Sequence, residues 1–157
     1  MILQKNLGRL TNLATAASIT ATLFLSTSNA FAASPCLLTP AELQSATGRA
    51  FIEGQETKTA VGDPLCVYAE QARPQRKLTI EVTTNKASQR FDSRIRLLQM
   101  GKDPITLSGV GDRAYYNGTA AGVLSGERMI AIGQLRRSSD PKISADKVAQ
   151  LLRSALD

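Results

Sequence analysis

The segment from Gly109 to Tyr116 combines residue types that often contact a bound ligand. Its glycines allow tight backbone turns. Asp112 and Arg113 supply charges, and Tyr115 and Tyr116 supply hydroxyl groups. We predict these four side chains as candidate ligand-binding residues. In the alternative interpretation the segment is an ordinary turn, whose aspartate bonds backbone amides and whose tyrosines pack into the core.

Catalytic chemistry has little support in the composition. The chain has no histidine, which removes the commonest general base, the commonest zinc ligand and any Ser-His or Cys-His pair. No Gly-Lys-Ser or Gly-Lys-Thr sequence follows Gly109, so the segment is not a phosphate-binding loop. The spacing of carboxylate pairs such as Asp63 with Glu70, or Asp112 with Glu127, does not single out any of them for acid-base catalysis. We predict no catalytic residue, no metal and no cofactor.

The first 32 residues are predicted to be a secretory signal peptide. Lys5 and Arg9 form a charged start, residues 13–25 are mostly apolar, and Ala30-Phe31-Ala32 ends the segment with a cleavage site. A membrane-spanning helix needs about 20 mostly apolar residues, and threonines and serines interrupt this stretch. We therefore predict cleavage after Ala32, a secreted or periplasmic location, and one domain from residue 33 to 157.

The two cysteines, Cys36 and Cys66, are expected to pair. An even number of cysteines in an exported protein indicates a disulfide, whereas two thiols without histidine make a poor metal site. The sequence thus predicts a small domain stabilised by one disulfide.

Local patterns predict an α+β fold with an antiparallel sheet flanked by helices, in the order α-β-β-β-α-β-β-β-α. The clearest signals are a helix that Thr39 and Glu42 begin and Gly48 ends, and an alternating strand from Leu78 to Val82. The other predicted elements are strands near 50–53, 65–70, 114–116, 121–124 and 128–135, and helices over 88–100 and after Ser144. Residues 54–62 are expected to form a polar loop. Two equivalent halves are possible within this order.

Three short motifs carry a resemblance to other proteins. They are Cys36-Leu37-Leu38-Thr39 with Glu42, Cys66-Val67-Tyr68, and Gly109-Val110-Gly111-Asp112-Arg113-Ala114-Tyr115. Together they resemble an uncharacterised family of bacterial exported domains, many of whose members are similar to envelope lipoproteins. The resemblance covers most of residues 36–156 and implies an envelope or secreted location, a Cys36–Cys66 disulfide and no catalytic residues. This chain differs from the lipid-anchored members because Pro35 precedes Cys36.

The chain has 19 basic and 13 acidic residues and a net charge of +6, and eight of the basic residues fall into three groups. The groups are Arg73 with Arg76 and Lys77, Lys86 with Arg90 and Arg94, and Arg136 with Arg137. We interpret them as solvated surface, with weak attraction to an anionic envelope surface as the alternative. Nucleic acid is not a predicted partner, because the few aromatic residues fall at expected core positions.

The function predicted from the sequence is that of an exported, soluble, non-catalytic binding or protein-interaction module. Its partner is an unknown protein or small molecule, it has no transmembrane segment once the signal is removed, and it is expected to be monomeric. The alternatives are a secreted enzyme inhibitor that presents the loop from Gly54 to Gly62, and a small hydrolase-like enzyme that uses carboxylates or tyrosines. A pocket lined by the Gly109–Tyr116 side chains would favour a small ligand, and a flat exposed sheet face would favour protein contact.

Overall fold

The computed structural model describes residues 34–101 and 103–157, and the predicted signal peptide lies outside this range. The described residues form three helices and seven strands. In chain order they are α1 (Pro40–Thr47), β1 (Gln55–Lys58), β2 (Pro64–Ala69), β3 (Lys77–Thr83), α2 (Ala87–Gln99), β4 (Ile105–Thr106), β5 (Arg113–Tyr116), β6 (Ala121–Ser125), β7 (Arg128–Gly133) and α3 (Ala145–Ser154).

All strands belong to one antiparallel sheet in the order β1-β2-β3-β7-β6-β5-β4. Each half of the domain has a helix followed by an antiparallel meander, and the last strands of the two halves pair at the centre, with Ile80 opposite Ile132. The predicted α+β class is confirmed. The predicted order is wrong in detail, because β4 adds a strand before β5.

The first strand does not lie where the sequence indicated. Phe51 makes only an isolated bridge to Glu70, and β1 occupies residues 55–58 of the expected polar loop. Gly54 lies between them, and a Cβ atom there would come within 2.8 Å of the Tyr68 ring. All four residues of β1 are exposed, so the strand is held by its backbone pairing with β2 and has no buried face to give a hydrophobic pattern.

The two faces of the sheet are covered differently. Helices α1 and α3 pack on one face, and its buried side chains include Tyr68, Ile80, Ile130, Ile132, Tyr116 and Leu152. Helix α2 packs over β6 and β7 on the other face, where Phe91, Tyr115, Leu124 and Met129 form a smaller cluster. Leu65, Val67, Ala69 and Thr79 lie on this second face but are only partly buried. We call these four residues the open face.

A disulfide between Cys36 and Cys66 fixes the start of α1 to β2, as predicted. Cys66 is fully buried. The Tyr68 hydroxyl donates a hydrogen bond of 2.6 Å to the Leu38 carbonyl, which adds a second connection. The predicted capping box of Thr39 and Glu42 is also present and begins the helix immediately after these connections.

Gly122 permits the close packing beneath α2. A Cβ atom at this position would lie 2.8 Å from Cζ and 2.9 Å from the hydroxyl oxygen of Tyr115. We expect Gly122→Ala to lower the free energy of unfolding by about 2 kcal/mol, because the ring must move in a packed core. Urea denaturation measures this cost. Combining it with Tyr115→Leu should cost less than the sum of the single variants, and additivity would contradict the proposed clash.

None of the helices in residues 34–101 and 103–157 is long and apolar enough to cross a membrane.

Candidate functional site

Asp112 and Arg113 lie where β5 begins and serve local structure. The Asp112 carboxylate accepts a 2.6 Å hydrogen bond from the Gly126 N–H. The Arg113 guanidinium lies 2.7 Å from an Asp92 carboxylate oxygen and 4.8 Å from the centre of the Phe91 ring. These contacts agree with the turn interpretation of the segment.

Tyr115 and Tyr116 point to opposite faces of the sheet. Tyr115 packs against Phe91 under α2, with ring centres 5.5 Å apart, and Tyr116 belongs to the core beneath α1 and α3. The structure therefore does not bring the four predicted ligand-binding residues together. Only Tyr116 lines the cavity described next.

A cavity of about 390 Å³ lies at the end of the sheet where β5 turns into β6. We call it the sheet-end cavity. Its lining residues are Asp103, Ile105, Tyr116, Asn117, Gly118, Thr119, Arg136, Lys142 and Ile143. Its volume lies within the range typical of small-molecule sites, and its lining combines apolar and charged groups.

Arg136 is held in place at this cavity. Its Nε donates to the Asp140 carbonyl at 3.0 Å and its Nη2 to the Ser138 carbonyl at 3.3 Å. Within the described part of the chain, no carboxylate lies within 4.0 Å of the Arg136 or Lys142 cation. The guanidinium is thus oriented by neutral acceptors while its charge stays uncompensated by an ion pair.

Tyr116 forms the buried wall of the cavity. Its side chain is nearly buried, and its hydroxyl lies within hydrogen-bond distance of the Gly118 and Ile143 carbonyls, at 3.1 and 3.3 Å. Burial raises the pKa of the Tyr116 hydroxyl, although the positive charge of Arg136 acts in the opposite direction. The tyrosine therefore stays neutral at physiological pH and adds no negative charge to the cavity.

The turn between β5 and β6 forms the rim of the cavity, and hydrogen bonds to Asn117 hold it together. The Asn117 Oδ1 accepts hydrogen bonds from the Thr119 N–H at 3.0 Å, the Thr119 hydroxyl at 3.1 Å and the Ala120 N–H at 2.8 Å. Because the oxygen is turned into the loop, the carboxamide NH₂ group is left as a donor for other partners. The predicted turn at Asn117 and Gly118 is confirmed, with Gly118 at a φ of 95°.

An ionic cluster supports the segment that carries Arg136. Asp140 lies 3.3 Å from Arg76 and 3.8 Å from Arg49, and Glu70 lies 3.7 Å from Arg49. We call Arg49, Arg76, Glu70 and Asp140 the buried quartet, since each side chain is at most 16% exposed. The pKa of Asp140 is lowered, and the main cause is the hydrogen bond that its carboxylate accepts from the Arg137 N–H. The positive charges of Arg49 and Arg76 lower this pKa further.

No family model, curated protein or solved structure matches this chain. The case for function therefore depends on the residues of the site.

Two other predicted basic groups are not simply solvated. Arg90 forms an ion pair with Asp63, and Arg94 lies 2.9 Å from Glu81 and near the Tyr115 hydroxyl. Arg76 belongs to the buried quartet. Asp63 thus faces Arg90, whereas Glu70 faces Arg49 and Arg76. In the part of the chain that the structure describes, no group of three or more acidic or cysteine side chains could hold a metal ion.

Sequence reasoning missed Lys142, Ile143 and the role of Asn117 at the cavity. The available signal was the Arg136-Arg137 pair, followed within six residues by Lys142. That signal could not distinguish the two arginines, of which only Arg136 lines the cavity.

Proposed function

We propose that the protein is an exported, non-catalytic binding module that holds an anionic group, a carboxylate or a phosphate, in the sheet-end cavity. The single observation that carries this proposal is the Arg136 guanidinium, which two backbone carbonyls orient at the cavity and which has no ion-pair partner among residues 34–101 and 103–157. A planar guanidinium suits carboxylate and phosphate groups, and a fixed side chain loses little entropy on binding. Lys142 supplies a second positive charge.

The open face is a weaker basis for function. Its side chains, Leu65, Val67, Ala69 and Thr79, carry no charge and are partly buried. The nearest charges on α2, Arg90 and Arg94, already pair with Asp63 and Glu81. The loop of the inhibitor alternative also offers little, because β1 occupies residues 55–58 and the Thr59 carbonyl accepts a turn hydrogen bond from the Gly62 N–H.

Three features support an exported location, which is part of the same proposal. The apolar leader with its Ala30-Phe31-Ala32 end favours export. The Cys36–Cys66 disulfide is typical of an oxidising compartment. The resemblance to exported bacterial envelope domains points the same way.

The test is a titration of the isotope-labelled protein with galacturonate and with inorganic phosphate, followed by NMR. We expect the amide signals of residues 117–119 to shift with the added anion. Arg136→Gln should weaken binding at least about tenfold, because the oriented charge is lost. Asp103→Asn should strengthen binding about twofold, because a like charge is removed from the cavity lining.

Arg137→Gln is the matched control, because it removes the same charge from the neighbouring residue, which is exposed and does not line the cavity. Its dissociation constant should stay within about twofold of the parent value. Equal weakening in the two arginine variants, or no shift at residues 117–119 with either anion, would overturn the proposal.

A further inference from the structure

Two further hollows lie beside the sheet-end cavity, and neighbouring hollows share lining residues. A hollow of about 240 Å³ lies next to it and shares Lys142 and Ile143 with its lining. A third hollow of about 120 Å³ lies between α1 and α3 and shares Ala46 and Lys147 with the second. We call the three together the basic groove. The stretch of α3 from Lys147 to Ser154 alone spans about 10 Å, so the groove is longer than one small ligand.

Positive charges recur along this groove. Arg136 and Lys142 lie in the first hollow, and Lys147 connects the second and third. None of the three cations has a carboxylate within 4.0 Å among the described residues. Two positions along the groove are therefore free to attract anions.

The acidic residues of the groove are mostly engaged elsewhere. Asp140 pairs with Arg49 and Arg76. Glu42 accepts hydrogen bonds from the Thr39 N–H at 2.7 Å and the Thr39 hydroxyl at 2.8 Å. Asp103 is the remaining carboxylate and lies in the first hollow only. Beyond the first hollow the lining is net positive in the second, where Arg49, Lys142 and Lys147 outnumber Asp140. In the third hollow the ionised Glu42 offsets the charge of Lys147.

Neutral polar groups lie between the cations. Ser45, Gln150 and Ser154 line the third hollow, and Asn117 and Thr119 line the first. Hydroxyl and carboxamide groups suit the hydroxyls of sugars. Among the described lining residues Tyr116 is the only aromatic one, and at 4% exposure it gives no platform on which nucleic-acid bases could stack.

We propose that the basic groove binds a linear acidic oligosaccharide, with one sugar carboxylate at Arg136 and Lys142 and a later one at Lys147. The inference rests on the proposed function, because the first carboxylate occupies the sheet-end cavity. Contacts at separate points along one chain raise affinity beyond that of a single unit.

The experiment compares galacturonate with hexagalacturonate by isothermal titration calorimetry. The affinity of a hexamer exceeds that of the monomer about sixfold from its number of equivalent units alone. We expect the measured gain in affinity to be about 100-fold. Lys147→Gln should reduce the gain to about sixfold and leave the affinity for the monomer unchanged. Lys77→Gln, which removes an exposed lysine outside the groove, should change neither value.

The outcomes separate the two proposals. Absence of monomer binding would overturn this inference, and it would overturn the proposed function as well only if inorganic phosphate also failed to bind. Monomer binding with a hexamer gain no larger than the statistical one, or an equal effect of Lys147→Gln on both ligands, would overturn only the groove. Equal binding of neutral maltohexaose would exclude recognition of the carboxylates, and tighter binding of hexaphosphate or an oligonucleotide would show that the ligand class is wrong.

Discussion

Replacing Cys36 and Cys66 together by alanine is expected to lower the free energy of unfolding by about 3 to 4 kcal/mol. The disulfide joins residues separated by 30 positions in the chain, and removing it restores the conformational entropy of that loop in the unfolded state. For a domain of this size the loss is a large part of the total stability. Urea denaturation of the mature domain measures it.

The single variant Cys36→Ala provides the control for this prediction. It breaks the same cross-link but leaves the buried Cys66 side chain in place. The single and double variants should therefore lose similar stability, and reduction of the parent protein should reproduce that loss. A loss below about 1 kcal/mol in the double variant would contradict the entropic role of the disulfide.

The predictable part of the fold is the part determined by neighbouring residues. The capping box of Thr39 and Glu42 begins α1, and the left-handed Gly48 ends it at a φ of 72°. The alternation of Leu78, Ile80 and Val82 predicts β3, because one side of that strand packs into the core. These features depend on short-range contacts or on a buried face, and both leave a pattern in the sequence.

The candidate site could not be predicted in the same way, because its residues meet only through the order of strands in the sheet. Tyr116 ends β5, whereas Arg136 and Lys142 follow β7, two strands away. Tyr115 and Tyr116 do not share one site, since successive side chains of a strand point to opposite faces. A strand prediction over 114–116 already contained that conflict.

The buried quartet explains why the predicted solvated basic surface differs from the structure at Arg76. The sequence analysis assigns the charge of Arg76 to solvent, yet the nearby Glu70 and Asp140 allow both Arg76 and Arg49 to lie largely buried. The four residues come from separate segments of the chain. Arg49 precedes β1, Glu70 and Arg76 lie at the two ends of the β2–β3 turn, and Asp140 follows β7. Charge pairing between distant segments has no local periodicity, so the sequence alone did not reveal it.

Arg49→Met is expected to cost about 3 kcal/mol of unfolding free energy, because it leaves Glu70 and Asp140 with one cation between them. The variant also removes hydrogen bonds to the Leu135 and Gln134 carbonyls, at 2.5 and 3.2 Å. Those bonds hold the segment that leads to Arg136. We therefore expect weaker galacturonate binding together with the lower stability, measured by NMR titration and urea denaturation.

Two further variants separate the charge of Arg49 from its geometry. Arg49→Lys keeps the charge but cannot match the fork of hydrogen bonds, so it should cost about 1 kcal/mol. Arg73→Met removes an exposed arginine that has no ion pair among the described residues, and its cost should be close to zero. If Arg49→Met and Arg73→Met were equally stable, the quartet would not be what holds the 134–140 segment against the sheet. Arg136 would then need another support for its fixed orientation at the cavity.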